Sequence, residues 1–285
     1  MKRLILSMAF LSLTCLAFAQ KTVEYIKMPS IIKEARAKGN LKFADSMAQD
    51  YINNYLLKLK KEELYTKDNL SFIGEFLGDE NSQAFKFFMK DPEKLNEVLG
   101  TYKAQNIVMQ FIEIHYLPNS QTWKTIKPDW DGLEKMVVTK FGALGQERLY
   151  EQRMVYYFET KDWVNYGVWF KKYYQKYLKT TRLAPNNLCW SIFENVSDQG
   201  ILKFACDKVM PYTLERWDSN QWESYDTYSN LLYKTGRIAK AIAWEERAVK
   251  LSNNSKETVE TLDKMRKNER TWSEMVSENN KHNKL

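Results

Sequence analysis

Glycine and proline are scarce in this chain of 285 residues, which holds ten of the first and six of the second. Turn-rich β architectures and low-complexity coils need far more of both, so regular structure meets few interruptions. Histidine occurs only as His115 and His282, and cysteine only three times. A zinc centre draws three or four His, Cys or carboxylate ligands at set spacings, and neither histidine has such company. There is no Cys-x-x-Cys, no glycine-rich phosphate loop, no nucleophile elbow and no His-Glu-x-x-His. These absences argue against an enzyme, a resident metal and a cofactor.

Long apolar runs are also missing, apart from the first residues. Lys2 and Arg3 precede an apolar stretch from Leu4 to Phe18, and Ala17-Phe18-Ala19 has the small-x-small form of a cleavage site. The run is shorter than the roughly 20 residues that span a bilayer. Residues 1–19 therefore read as a signal peptide cleaved after Ala19, which predicts a periplasmic or secreted protein with no membrane insertion. Two of the 43 Lys and Arg lie in that leader, leaving 41 against 36 Asp and Glu. The excess is mild and the signs are interspersed, as on solvated helix faces, whereas nucleic acid calls for a basic stripe. Nucleic acid is not expected as a partner.

What is present is helical periodicity, almost throughout. Helices are predicted over Asp68 to Leu77, Ser82 to Met89, Pro92 to Tyr102 and Ala104 to His115, with Asp91-Pro92 suited to opening one. Near the C-terminus, Tyr225, Tyr228, Leu231 and Leu232 mark one helix, Gly236 breaks it, and Ile238, Ala241, Ile242, Ala248 and Val249 mark a second. The stretch from Tyr228 through Gly236 to Ala241, followed by Ala248, resembles a tetratricopeptide repeat. Two antiparallel helices cross closely only where side chains are small, and their turn favours a residue that tolerates positive φ. Ser229 and Glu245 depart from that pattern, as does Asn253, where proline often closes the unit.

Weaker copies are expected at Ile31-Ile32, Ala35, Gly39, Ala44 and Ala48, at Leu188-Cys189-Trp190 with Leu202, Ala205 and Val209, and between Tyr150 and Leu178. A charged helix from Ser255 to about Asn279, carrying Val259, Leu262, Met265 and Trp272, is expected to cap the stack. The fold class is all-α: stacked antiparallel helical hairpins, a tetratricopeptide-like α-solenoid in one or two lobes. The expected division is 1–19 leader, 20–143 N-terminal helical region, and 144–285 repeat-like hairpins.

The segments Ala84-Phe85-Lys86-Phe87-Phe88, Asn187-Leu188-Cys189-Trp190 and Tyr225 to Tyr233 are similar to the helical region that follows the thioredoxin-like domain in some exported bacterial proteins. The thioredoxin domain itself is absent, so that family's redox residues have no positions here. The resemblance implies an accessory module acting with a thioredoxin-like oxidoreductase in trans.

Cys189 and Cys206 fall in the two helices of one expected hairpin, where a disulfide competes with simple core filling. Asp129, Asp131 and Glu134 beside Trp130 suggest a sugar or calcium site, but the same acids suit a helix N-terminus, and capping is the favoured reading. Ten aromatics crowd between Tyr156 and Tyr177. Most share one face and read as core, while Trp169 and Tyr174 point elsewhere. Together with Tyr225 and Tyr228 they are the candidate partner-binding residues. The expected function is a non-enzymatic repeat protein that binds a protein or peptide in the cell envelope. The alternatives are the thioredoxin-associated module and a glycan-binding protein.

Overall fold

The computed structural model describes residue 25 and residues 27–123, 126–216 and 220–273. Within them every regular element is helical. The predicted leader and His282 lie outside the described residues. The chain divides into two compact units, Met1–Tyr116 and Leu117–Leu285.

The first unit opens with α1 (residues 27–37) and α2 (Leu41–Asn54). Gly39 between them has φ +79°, a region where a β-carbon costs about 1–2 kcal/mol. Tyr25 stacks on Tyr55 with ring centroids 5.0 Å apart, so the far ends of the two helices meet and the pair is an antiparallel hairpin. Ile32, Ala35, Ala44 and Ala48 are buried along it, as their spacing predicts. There follow α3 (Lys61–Leu64), α4 (Lys67–Glu75), α5 (Gln83–Lys90), α6 (Pro92–Leu99) and α7 (Lys103–Tyr116). Thr66, Ser82 and Asp91 each accept from a backbone N–H three residues on, satisfying a donor that the first turn leaves open. Close packing of α4 depends on Gly74: a β-carbon there would sit 2.9 Å from Ile107 Cδ1 and 3.0 Å from Phe88 Cζ.

The second unit runs through α8 (Ser120–Trp123), α9 (Trp130–Glu159), α10 (Trp163–Tyr177), α11 (Pro185–Asn195), α12 (Gln199–Phe204) and α13 (Met210–Arg216). It ends with α14 (Trp222–Lys234), α15 (Ile238–Leu251) and α16 (Lys256–Arg266). Asp129 caps α9 by accepting from Gly132 N–H, while Asp131 reaches Arg153 at 3.5 Å. Capping thus accounts for Asp129, and Glu134 accepts from Gln146 and Tyr150 instead.

Helix α9 is two arms folded back on each other. Gly142 has φ +59° and ψ −134°, which reverses the chain within a single residue. Across the turn Tyr150 donates to Glu134 at 3.1 Å, and a β-carbon on Gly145 would lie 2.4 Å from the Val137 carbonyl oxygen. The expected border between residues 143 and 144 falls inside this hairpin, and the contacts divide the chain after Tyr116 instead.

The α14–α15 hairpin follows its sequence pattern. Gly236 turns it at φ +82°, and Ala241 and Ala248 are fully buried where the two helices cross. Asn253 has φ +54°, an angle closed to proline, whose ring holds φ near −65°; that is why asparagine stands there. The last helix is shorter than expected. It ends at Arg266, with Asn268 in the left-handed region at φ +58°, and Trp272 folds back against Phe193 and Tyr233 with centroids 6.1 and 6.3 Å away.

Candidate functional site

The residues chosen from sequence as partner anchors are mostly interior. Trp169 is 5 % exposed: the Arg153 guanidinium covers its ring at 3.9 Å, the Lys172 ammonium lies 4.3 Å from it, and Tyr150 meets it edge-on. Tyr174 is fully buried between Phe170 and Tyr173. Tyr228 is buried against Trp244, and only Tyr225, which also packs on Trp244, is half-exposed. For Trp169 the physical reason is that the returning arm of α9, which carries Tyr150 and Arg153, covers the face of α10 that helical spacing alone leaves open.

Cys189 and Cys206 are free thiols, both fully buried. Burial pushes the Cys189 thiol well up and Cys206 up to about 12. Neither is a thiolate at neutral pH, so neither is poised as a nucleophile.

The structure brings together a different set. A pocket of about 260 Å³ is lined by Asn186, Asn187, Trp190, Trp222, Glu223, Asp226, Thr227 and Glu257. These side chains come from the N-terminal halves of α11, α14 and α16. Glu223 and Glu257 are exposed at the rim, where an acid in a first helical turn is favoured by the backbone N–H groups. Trp190 and Trp222 are half-buried, and Asp226, only 5 % exposed, forms the base. The volume falls short of the roughly 300–1,000 Å³ typical of drug-sized ligands; it suits a single side chain or a small group.

Behind Asp226 lies Glu245 of α15, fully buried. The Ser229 hydroxyl contacts both Glu245 Oε2 and the Asp226 backbone carbonyl. Asn230 Nδ2 donates at 3.0 Å to the Asp226 carbonyl and to its Oδ1. Ser229 has one hydrogen for two acceptors, and the Asp226 and Glu245 carboxyls are hydrogen-bonded to each other. Acceptors thus outnumber donors unless a carboxyl carries a proton. Burial, then each carboxyl's proximity to the other and to Glu257, pushes Glu245 up, and burial does the same to Asp226. Among the described residues no Lys or Arg forms an ion pair with either acid. The pair holds a proton at neutral pH.

Sequence reading missed Asp226, Trp190 and Trp222 as site residues, yet a signal existed. Ser229 and Glu245 are the two departures from the repeat pattern within the α14–α15 hairpin, and in the structure they touch each other. Two anomalies that share one contact mark a buried polar feature that the repeat itself does not need.

A second, larger cavity of about 910 Å³ lies in the first unit, lined by α2, α4 and α7. There Arg36 pairs with Glu75 and covers the Phe76 ring at 4.8 Å, so this pair leaves little net charge. Among the described residues no three His, Cys, Asp or Glu side chains are gathered so as to hold a metal ion, and no helix is long and apolar enough to cross a membrane. No protein-family model, curated protein or solved structure matches the chain.

Proposed function

We propose that this chain is an exported, non-enzymatic binding protein of tetratricopeptide-like hairpins. It docks a protein or peptide of the cell envelope at the pocket framed by α11, α14 and α16. The observation that carries the reading is a buried carboxyl, unneutralised by any cation among the described residues, at the base of a two-tryptophan pocket. Helical repeats present the first helix of each hairpin to their ligands, and α11 and α14 supply most of the lining. The close crossing at Ala241 and Ala248 and the glycine turn at Gly236 support the repeat assignment. Export rests on the pattern from Lys2 to Ala19.

A second reading, glycan binding, is favoured by the same two indoles, which offer faces on which a sugar ring stacks beside hydrogen-bonding Asn186 and Asn187. The test is affinity capture from envelope extract with the wild-type chain and with the Trp190→Ala/Trp222→Ala double variant. Recovery of a specific protein that drops at least tenfold in the variant, at unchanged helical circular dichroism, supports the docking reading. Equal recovery by both, or capture of polysaccharide instead of protein, overturns it.

A further inference from the structure

We infer that the group taken by this pocket is an organic cation, a lysine or arginine side chain of the docked partner, with Asp226 as its counter-ion. The inference rests on the docking reading above and names the chemistry of what docks. Three carboxylates, two indoles, two amides and a hydroxyl line the pocket, and among the described residues no cationic side chain does. In a chain of formal net charge +7 this is a local reversal of sign, which attracts cations and repels acids. Indole faces bind ammonium and guanidinium groups through the ring quadrupole, most strongly where water is excluded. A carboxylate that is 95 % removed from solvent adds what an exposed acid cannot, because its attraction is little screened.

The independent observation is the second buried carboxyl behind the base. Glu245 is wholly buried, and its side-chain partners are Ser229 and the Asp226 carboxyl, itself an acceptor unless protonated, so the Asp226–Glu245 cluster is short of positive hydrogen. In the empty pocket Glu245 keeps one proton, and on the acidic side of neutrality Asp226 takes up a second. A bound cation takes the place of that second proton, so that Asp226 ionises while Glu245 stays protonated. The groups facing Asp226 are Glu245 from α15, Glu257 from α16, and Asn230 on its own helix, and the α11 side contributes the neutral amides of Asn186 and Asn187. Every charge among them is negative. Cation binding therefore expels a proton to solvent on the acidic side of neutrality, and affinity rises with pH.

The full chain, labelled with ¹⁵N at tryptophan, provides the test. Indole N–H signals of Trp190 and Trp222 are assigned by Trp→Phe variants and followed during titration with acetyl-Gly-X-Gly-amide peptides in which X is Lys, Arg, Leu or Glu. The Lys and Arg peptides are expected to shift both signals saturably, with at least tenfold tighter binding than the Leu and Glu peptides. Their affinity is expected to rise at least threefold from pH 5.5 to 7.5. Asp226→Asn removes the preference for a cation. The exposed variant Glu257→Gln, which replaces neither buried acid, weakens it by a few fold and keeps the assignment testable if Asp226→Asn misfolds. Equal binding of the Leu or Glu peptide, an affinity that does not change with pH, or no shift with Lys and Arg up to 20-fold above the weakest measurable affinity overturns the cation assignment. In that event the docking reading still stands if the double-tryptophan variant loses its captured partner; if capture is unaffected while the Lys peptide binds, the docking reading fails and the cation site remains.

Discussion

Two hairpins of the second unit bury acids, and they neutralise them in opposite ways. In the α9–α10 region Glu151 is 2 % exposed and accepts from Arg148 at 2.5 Å and Arg182 at 2.8 Å, while Glu147 beside it accepts from Thr180 at 3.1 Å. That cluster is closed: two guanidinium groups of the chain already occupy it. In the α14–α15 hairpin Asp226 and Glu245 have each other, Ser229 and Asn230, and no cation among the described residues. A buried acid with its own arginines is architecture, whereas the docking site proposed above has at its base a buried acid for which the described residues supply none. The difference in counter-ions, rather than the acids themselves, separates scaffold from site.

The largest break in this comparison comes from removing a counter-ion. Arg182→Met leaves Glu151 with one guanidinium in place of two, and the loss of one hydrogen bond to a buried charge costs about 2 kcal/mol, read as a lower urea midpoint. At the other cluster the same logic has the opposite sign. Glu245→Gln removes a group that resists ionisation and is expected to stabilise the chain by about 1 kcal/mol at pH 8, with little effect at pH 5. Destabilisation by Glu245→Gln at pH 8 would mean that the pair is already satisfied without a ligand.

Acidity dependence sharpens the contrast further. Glu147 is pushed up to about 7, chiefly by burial, and the Asp226–Glu245 pair is raised as well. The folded state then binds more protons than the unfolded state above pH 4.5, so stability falls as pH rises. Glu147 contributes that loss between its unfolded value and about 7, and the pair extends it toward alkaline pH. Lys234, pushed down to about 8 by burial, works in the opposite direction only above that pH. Thermal melts between pH 5 and 8 are expected to show a steady decline, which Glu245→Gln partly flattens and Arg182→Met does not.

Much of the helical layout is legible in the sequence because its signals are local. Asp91-Pro92 opens a helix because the carboxylate and the fixed φ act within one turn. Gly39 and Gly236 mark turns because only their own backbone angle is at stake. The reversal at Gly142 is not legible, since Phe141-Gly-Ala-Leu-Gly145 carries good helix formers on both sides and only the contact of Gly145 with the Val137 carbonyl demands the fold-back. Periodicity sets Trp169 off the main stripe of α10; that the returning arm of α9 covers it depends on that same reversal.

By itself, then, the sequence determines that this chain is helical, where most of its helices begin and end, and which small residues let α14 and α15 cross. Tertiary structure alone decides which acids acquire arginines and which do not, because Arg182 and Glu151 are 31 positions apart and Trp190, Asp226 and Glu257 come from three helices. Local propensity acts over one or two turns of chain, whereas charge compensation in a dry interior is settled by whatever side chains packing happens to bring within a few ångströms.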